Sequence, residues 1–232
     1  MNITVAQAVE QIAEGLAAAG DPDDAEQMAS YMKTDMPFYG VKAKPRDEIM
    51  RDVAGELEIT SREEYEELVR TFWGSPHREE KYIAIRLAGR YTDFIDVDSM
   101  PLYEQIIREG AWWDFVDEVA SHLVGRALEA SPDQVWPVLD RWITDDDMWI
   151  RRAAMLAQIR RGEDADVDRL FRYALALADE DEFFIRKAIG WALREHAKTD
   201  PEAIVAFLDQ HRDDFAGLTI REASKHLDDF DG

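Results

Sequence analysis

The sequence predicts an all-α chain, a solenoid of stacked antiparallel helical hairpins, on three observations. Apolar residues recur at helical spacing from end to end, and the alternation of a strand is nearly absent. Helix-start signals return at short intervals along the chain. The second half also matches itself at a shift of 35 residues: Asp146-Asp147-Met148-Trp149-Ile150-Arg151-Arg152-Ala153-Ala154 lies over Asp181-Glu182-Phe183-Phe184-Ile185-Arg186-Lys187-Ala188-Ile189. One more step back lands on Asp114-Phe115-Val116-Asp117. A helix-rich period of this length means hairpins that each cover the apolar face of a neighbour. The tetratricopeptide and ankyrin patterns are missing, which leaves a short HEAT-like α-solenoid with a concave face.

Taken in order, the run over 3–16 is apolar-periodic and stops near Gly20. Ser61-Arg62-Glu63-Glu64 is a capping box ahead of Tyr65 and Leu68. Ser75-Pro76, Ser131-Pro132 and Asp200-Pro201 each place a capping residue before proline at the first helical position. Asp145, Asp146 and Asp147 mark a helix start favoured by the macrodipole. Trp73, Trp136 and Trp142 read as packing residues, and Asp228, Asp229 and Asp231 as a solvated tail. No Pro/Gly-rich linker divides the chain, so 1–232 reads as one domain.

Hydrophobic content of 46% with 33% charged residues suits a folded, soluble protein, and a monomer is expected. No stretch of about 18 apolar residues and no signal-peptide pattern is present, so neither a membrane nor secretion is expected. With no cysteine, disulfides and thiolate metal sites are excluded and a cytoplasmic location fits. The five histidines form no close-set ligand pair, so no metal or other cofactor is expected. The net charge of −23 argues against generic nucleic-acid binding. It also suits a halophilic, salt-rich cytoplasm, in which case the sign of any binding face is a separate, local question.

The stretch most loaded with chemistry is Ala111-Trp112-Trp113-Asp114-Phe115-Val116-Asp117. On a helix Trp113 and Asp117 share a face, being four residues apart. One reading puts both indoles in the core and both aspartates in solvent. The other makes a pocket of aromatic faces and negative charge for a cation. The repeat bears on this choice, because it sets Asp117, Arg152 and Lys187 at equivalent positions of consecutive units, along one surface. Trp191, Arg194 and Lys198 continue the stripe from Lys187 at helical spacing. His122, in the helix after Asp117, reads as a core or groove histidine.

Five stretches, over 31–40, 72–79, 112–117, 148–154 and 182–195, resemble the DNA alkylation repair family of HEAT-like DNA glycosylases. The most specific are Trp112-Trp-Asp-Phe-Val-Asp117 and Glu182-Phe-Phe-Ile-Arg-Lys-Ala-Ile-Gly-Trp-Ala-Leu-Arg-Glu195. The resemblance implies excision of cationic N-alkylated purines from double-stranded DNA without a metal. It implies Asp117 as catalytic carboxylate, Trp113 and Trp191 as flanking aromatics, Arg152 as a phosphate contact and Tyr31 as an aromatic that touches DNA. Lys187, Arg194 and Lys198 extend the expected DNA-binding set. A non-catalytic module binding DNA or a partner protein would keep the cationic stripe but would not require Asp117 beside two indoles.

If the acidity reflects a saline cytoplasm, carboxylate repulsion should destabilise the protein at low ionic strength. Melting temperatures should then rise as salt goes from roughly 0.1 M toward 1 M, over which the Debye length shortens from about 10 to 3 Å. A steady fall over that range would contradict the halophilic reading.

Overall fold

In a computed structural model, residues 3–227 are described and all their regular structure is helical. The acidic stretch with Asp228, Asp229 and Asp231 lies outside the described residues. No described helix is long and apolar enough to cross a membrane. Contacts divide the chain into two compact units, Met1–Phe94 and Ile95–Gly232.

In the first unit α1 (Val5–Ala19) opens on a capping box: Thr4 Oγ accepts from the Gln7 amide, and the Gln7 side chain accepts from the Thr4 amide. Its apolar face buries Ala8, Ile12 and Leu16, and it stops at Gly20 as its period requires. Next, α2 (Pro22–Met32) is capped by Asp21 and ends on Lys33 in the left-handed region. It is followed by α3 (Ala43–Ala54) and α4 (Arg62–Trp73), which starts on the expected Ser61 box. The last helix, α5 (Arg78–Arg90), begins two residues later than Ser75-Pro76 suggests. Ser75 instead bonds back to the Thr71 carbonyl, and His77 takes the N-cap position.

The loop between α2 and α3 is held by one buried carboxylate. Glu79 is 1% exposed and accepts backbone N–H groups from Tyr39 (3.1 Å), Gly40 (2.9 Å) and Val41 (3.1 Å). Gly40 has φ +85°, and a Cβ there would sit 1.9 Å from the Asp21 carbonyl oxygen, so only glycine fits. Tyr39 stacks on His77 with ring centroids 3.8 Å apart.

In the second unit the helices are α6 (Met100–Gly110), α7 (Trp113–Glu118), α8 (Gly125–Ala130), α9 (Pro132–Trp142), α10 (Met148–Leu156), α11 (Val167–Ala176), α12 (Phe183–His196), α13 (Pro201–Gln210) and α14 (Gly217–Ala223). Val119–Val124 joins α7 to α8 as a π-helix, with the Gly125 amide donating to the carbonyl of Ala120, five residues back. Asp147 and Asp200 cap α10 and α13. The register is visible in the core: Phe115, Ile150 and Ile185 are fully buried, as are Val119, Ala154 and Ile189. Successive contacts run α7 to α10, α10 to α12 and α12 to α14. The last pair is closest at Gly190, where a Cβ would lie 2.4 Å from that of Glu222. Trp73 and Trp142 are packing residues, whereas Trp136 is half-buried beneath the Arg169 guanidinium.

Glu79→Ala should leave two buried donors, the Gly40 and Val41 amides, and the part-buried Tyr39 amide without an acceptor, each buried one worth about 1–3 kcal/mol. Urea unfolding should show a loss of at least 2 kcal/mol, and the Tyr39, Gly40 and Val41 amides should lose hydrogen-exchange protection. Unchanged protection at those amides would mean that Glu79 does not hold the loop.

Candidate active site

The site begins where α6 ends. Ala111 adopts the left-handed region (φ 38°) and Trp112 is extended, so the chain reverses before α7 carries Trp113 and Asp117 forward. Trp112 takes the inward position, with its ring 5.4 Å from Phe184 and 6.0 Å from Trp149. Trp113 is only half-buried, and Asp114, which the packing reading leaves in solvent, is 9% exposed. Both indoles are thus half-buried, and of the two it is Trp112 that meets Phe184 and Trp149.

Asp117 meets Arg152 head on. Arg152 Nε donates to Oδ1 at 2.7 Å and Nη2 to Oδ2 at 2.8 Å, while Nη1 donates to the Phe184 carbonyl. The guanidinium also stands 5.9 Å from the Phe184 ring centroid. Arg152, the expected phosphate contact, is 5% exposed. Its fork is closed on Asp117 because burying either charge alone would be far more costly than burying the pair. Burial pushes the Asp117 carboxyl above its ordinary range; Arg152 opposes this, and Asp114 and Glu118 add to the upward push.

Beside the pair lies an open cleft of ≈470 Å³, lined among others by Asp117, Glu118, His122, Arg160, Trp191 and Glu195. Asp117 and Trp191 therefore share a cavity, and Trp113 is not part of its lining. His122 stands in this groove with Nδ1 3.2 Å from Glu118 Oε2 and 3.1 Å from Ser121 Oγ. Ser121 Oγ in turn donates to the Asp117 carbonyl at 2.7 Å.

The cations expected along α12 are engaged by acids. Lys187 (2.8 Å), Arg194 (2.7 Å) and Lys225 all reach the Glu222 carboxylate. Burial pushes that carboxyl up, but hydrogen bonds from Lys187, Lys225 and Arg194 outweigh it and hold it down at about 2. Lys198 pairs with Glu195 at 2.6 Å and remains largely exposed. Tyr31 lies on α2, in the other unit, and is 73% exposed. Glu222 is one 35-residue step beyond Lys187, so positions 117, 152, 187 and 222 form two ion pairs, Asp117–Arg152 and Lys187–Glu222.

Glu118, Arg160 and Glu195 are cleft residues that the pattern of tryptophans and cations does not single out. A signal existed, because Gly125, Arg160 and Glu195 follow one another at the same 35-residue step. Among the described residues, no three His, Asp or Glu side chains gather in a way that could hold a metal ion.

The family model of the DNA alkylation repair enzymes matches residues 12–227. A solved structure described as a predicted DNA alkylation repair enzyme from Enterococcus faecalis is 26% identical, covers 91% of this chain and 98% of its own, and superposes with a TM-score of 0.81. The crystal structure of AlkD2 from Streptococcus mutans is 16% identical, with 88% and 99% covered and a TM-score of 0.62, and is alike in its HEAT-like fold. No curated protein sequence matches the chain significantly.

Arg152→Met should strand the buried Asp117 carboxylate at a cost of roughly 3–5 kcal/mol at neutral pH. The folded pKa of Asp117 lies above the ordinary 3.8, so the folded state binds the proton more tightly. The penalty should therefore shrink as pH falls through the raised pKa, and Asp117→Asn in the same protein should recover part of it. A loss that is flat with pH and unrelieved in the double variant would mean that the pair is not what Arg152 holds.

Proposed function

The chain belongs to the DNA alkylation repair enzyme family, and we propose that it is a DNA glycosylase that hydrolyses the N-glycosidic bond of cationic N-alkylated purines, of the 3-methyladenine and 7-methylguanine type, in double-stranded DNA. One observation carries this reading: a carboxylate fixed on both oxygens by a buried guanidinium faces a cleft walled by an indole.

N-alkylation puts a positive charge on the purine, so the base departs as a neutral molecule and needs no acid to protonate it. The remaining barrier is cleavage of the C1′–N bond, which builds oxocarbenium character on the deoxyribose. Asp117 opposes that charge with a preorganised negative one. Arg152 occupies one acceptor site on each Asp117 oxygen and leaves further lone pairs on both, enough to orient the water that adds to C1′. Trp191 contributes cation–π attraction of about 0.5–2 kcal/mol toward the charged base or sugar. Trp113, half-exposed one turn before Asp117, is positioned by its helix to add a second aromatic face. Glu118 and Glu195 raise the negative potential of the same cleft, which favours a cationic lesion over a neutral one.

Lys187, Arg194, Lys198 and Tyr31 stand as the proposed contacts to the DNA backbone, where phosphates fix position rather than sequence. Arg152 acts in this scheme by holding Asp117. A non-catalytic DNA-binding module has no use for a carboxylate in a cleft that faces phosphates, because that charge weakens binding.

Asp117→Asn keeps the shape and removes the charge. Base release from methylated duplex in single turnover should fall by about 10²–10³-fold, while DNA affinity holds or improves. Excision at the parent rate would return the chain to the binding-module reading.

A further inference from the structure

Arg160 is an arginine with nothing to hold. It lines the same cleft as Asp117 and Trp191, is exposed, and makes no hydrogen bond or ion pair among the described residues. This is unexpected in a chain with 50 acidic and 27 basic residues, and more so in a cleft that also contains Asp117, Glu118 and Glu195. Three other arginines near α10 are clamped on acids, Arg151 on Glu180, Arg152 on Asp117, and Arg108 on Glu104 and Asp145, and Arg161 donates to the Asp164 carbonyl.

Its backbone, by contrast, is fixed. Arg160 ends the turn over 157–160 that follows α10, and the residue before it, Ile159, is buried. Gln158 pins the turn through two bonds to Asp166, its Nε2 donating to the carbonyl (3.0 Å) and its Oε1 accepting from the amide (2.8 Å). An anchored base carrying an uncommitted fork of five donors suits bidentate capture of a phosphodiester.

We infer that Arg160 is the positioning residue that grips the backbone phosphate flanking the damaged nucleotide. The assignment of the damaged nucleotide to this cleft rests on the glycosylase reading; the capture of a backbone phosphate does not. Arg152 is enclosed, and Lys187 and Arg194 share one carboxylate, so of these cations only Arg160 meets a phosphate without first giving up a partner.

The test is binding of unmodified duplex DNA across a salt series, with single-turnover excision from methylated duplex beside it. Arg160→Ala should make the slope of log affinity against log salt shallower by about one, with roughly tenfold weaker binding near 0.1 M salt. In excision the loss should appear mainly in the half-saturating protein concentration, and Arg160→Lys should restore the slope. Arg160→Ala with the parent's slope and affinity overturns the inference. If the parent releases no base but Arg160→Ala still flattens the slope, the glycosylase reading falls and the phosphate grip stands. If the parent releases base and Arg160→Ala binds as the parent does, only the grip falls.

Discussion

Two charges buried between neighbouring helices, Asp117 on α7 and Arg152 on α10, set the terms for this half of the protein. In a stack of repeats, equivalent positions of adjacent units fall against each other, so a charge placed there must be answered by the next unit. The series at positions 117, 152, 187 and 222 reads minus, plus, plus, minus. The like neighbours, Arg152 and Lys187, turn away from each other, Arg152 back to Asp117 and Lys187 forward to Glu222. The geometry of the cleft and the integrity of the stack thus draw on the same ion pairs.

Much of this was legible in the sequence because the 35-residue step is carried by buried residues, and buried residues obey periodicity strictly. Phe115, Ile150 and Ile185 fill equivalent core positions, and the capping signals at Ser61, Asp147 and Asp200 mark real helix starts. Proline at 76 misled because a turn precedes α5 there. Which partner each cation takes was not legible. Periodicity brings Asp117, Arg152 and Lys187 to one surface, but it says nothing of which way a guanidinium turns. Nor did it show that Trp112 would meet Phe184 and Trp149, since that contact follows the left-handed turn at Ala111, a residue with no conventional preference for that conformation.

The overall acidity of the chain and the chemistry of its cleft are consistent once charge is read locally. Carboxylates gather in the cleft, which suits the cationic substrate proposed above, and the basic groups of α12 are mostly neutralised by acids of their own. The field offered to a duplex is then set by a few side chains rather than by the net charge of −23.

The π-helical stretch Val119–Val124 follows Asp117 directly. Such a turn accommodates one residue more than an α-helix would, and a residue in a helix is worth about 100° of rotation. The wide turn absorbs that residue: six residues here turn the chain about as far as five α-helical ones, so α8 keeps its phase relative to α7. Chain length at this point is thus an angular setting: Asp117 faces Arg152 on one side of the π turn, and the Gly125 backbone meets the Ala157 carbonyl on the other. A further insertion in these six residues, with the wide turn already used, would act as a change of phase.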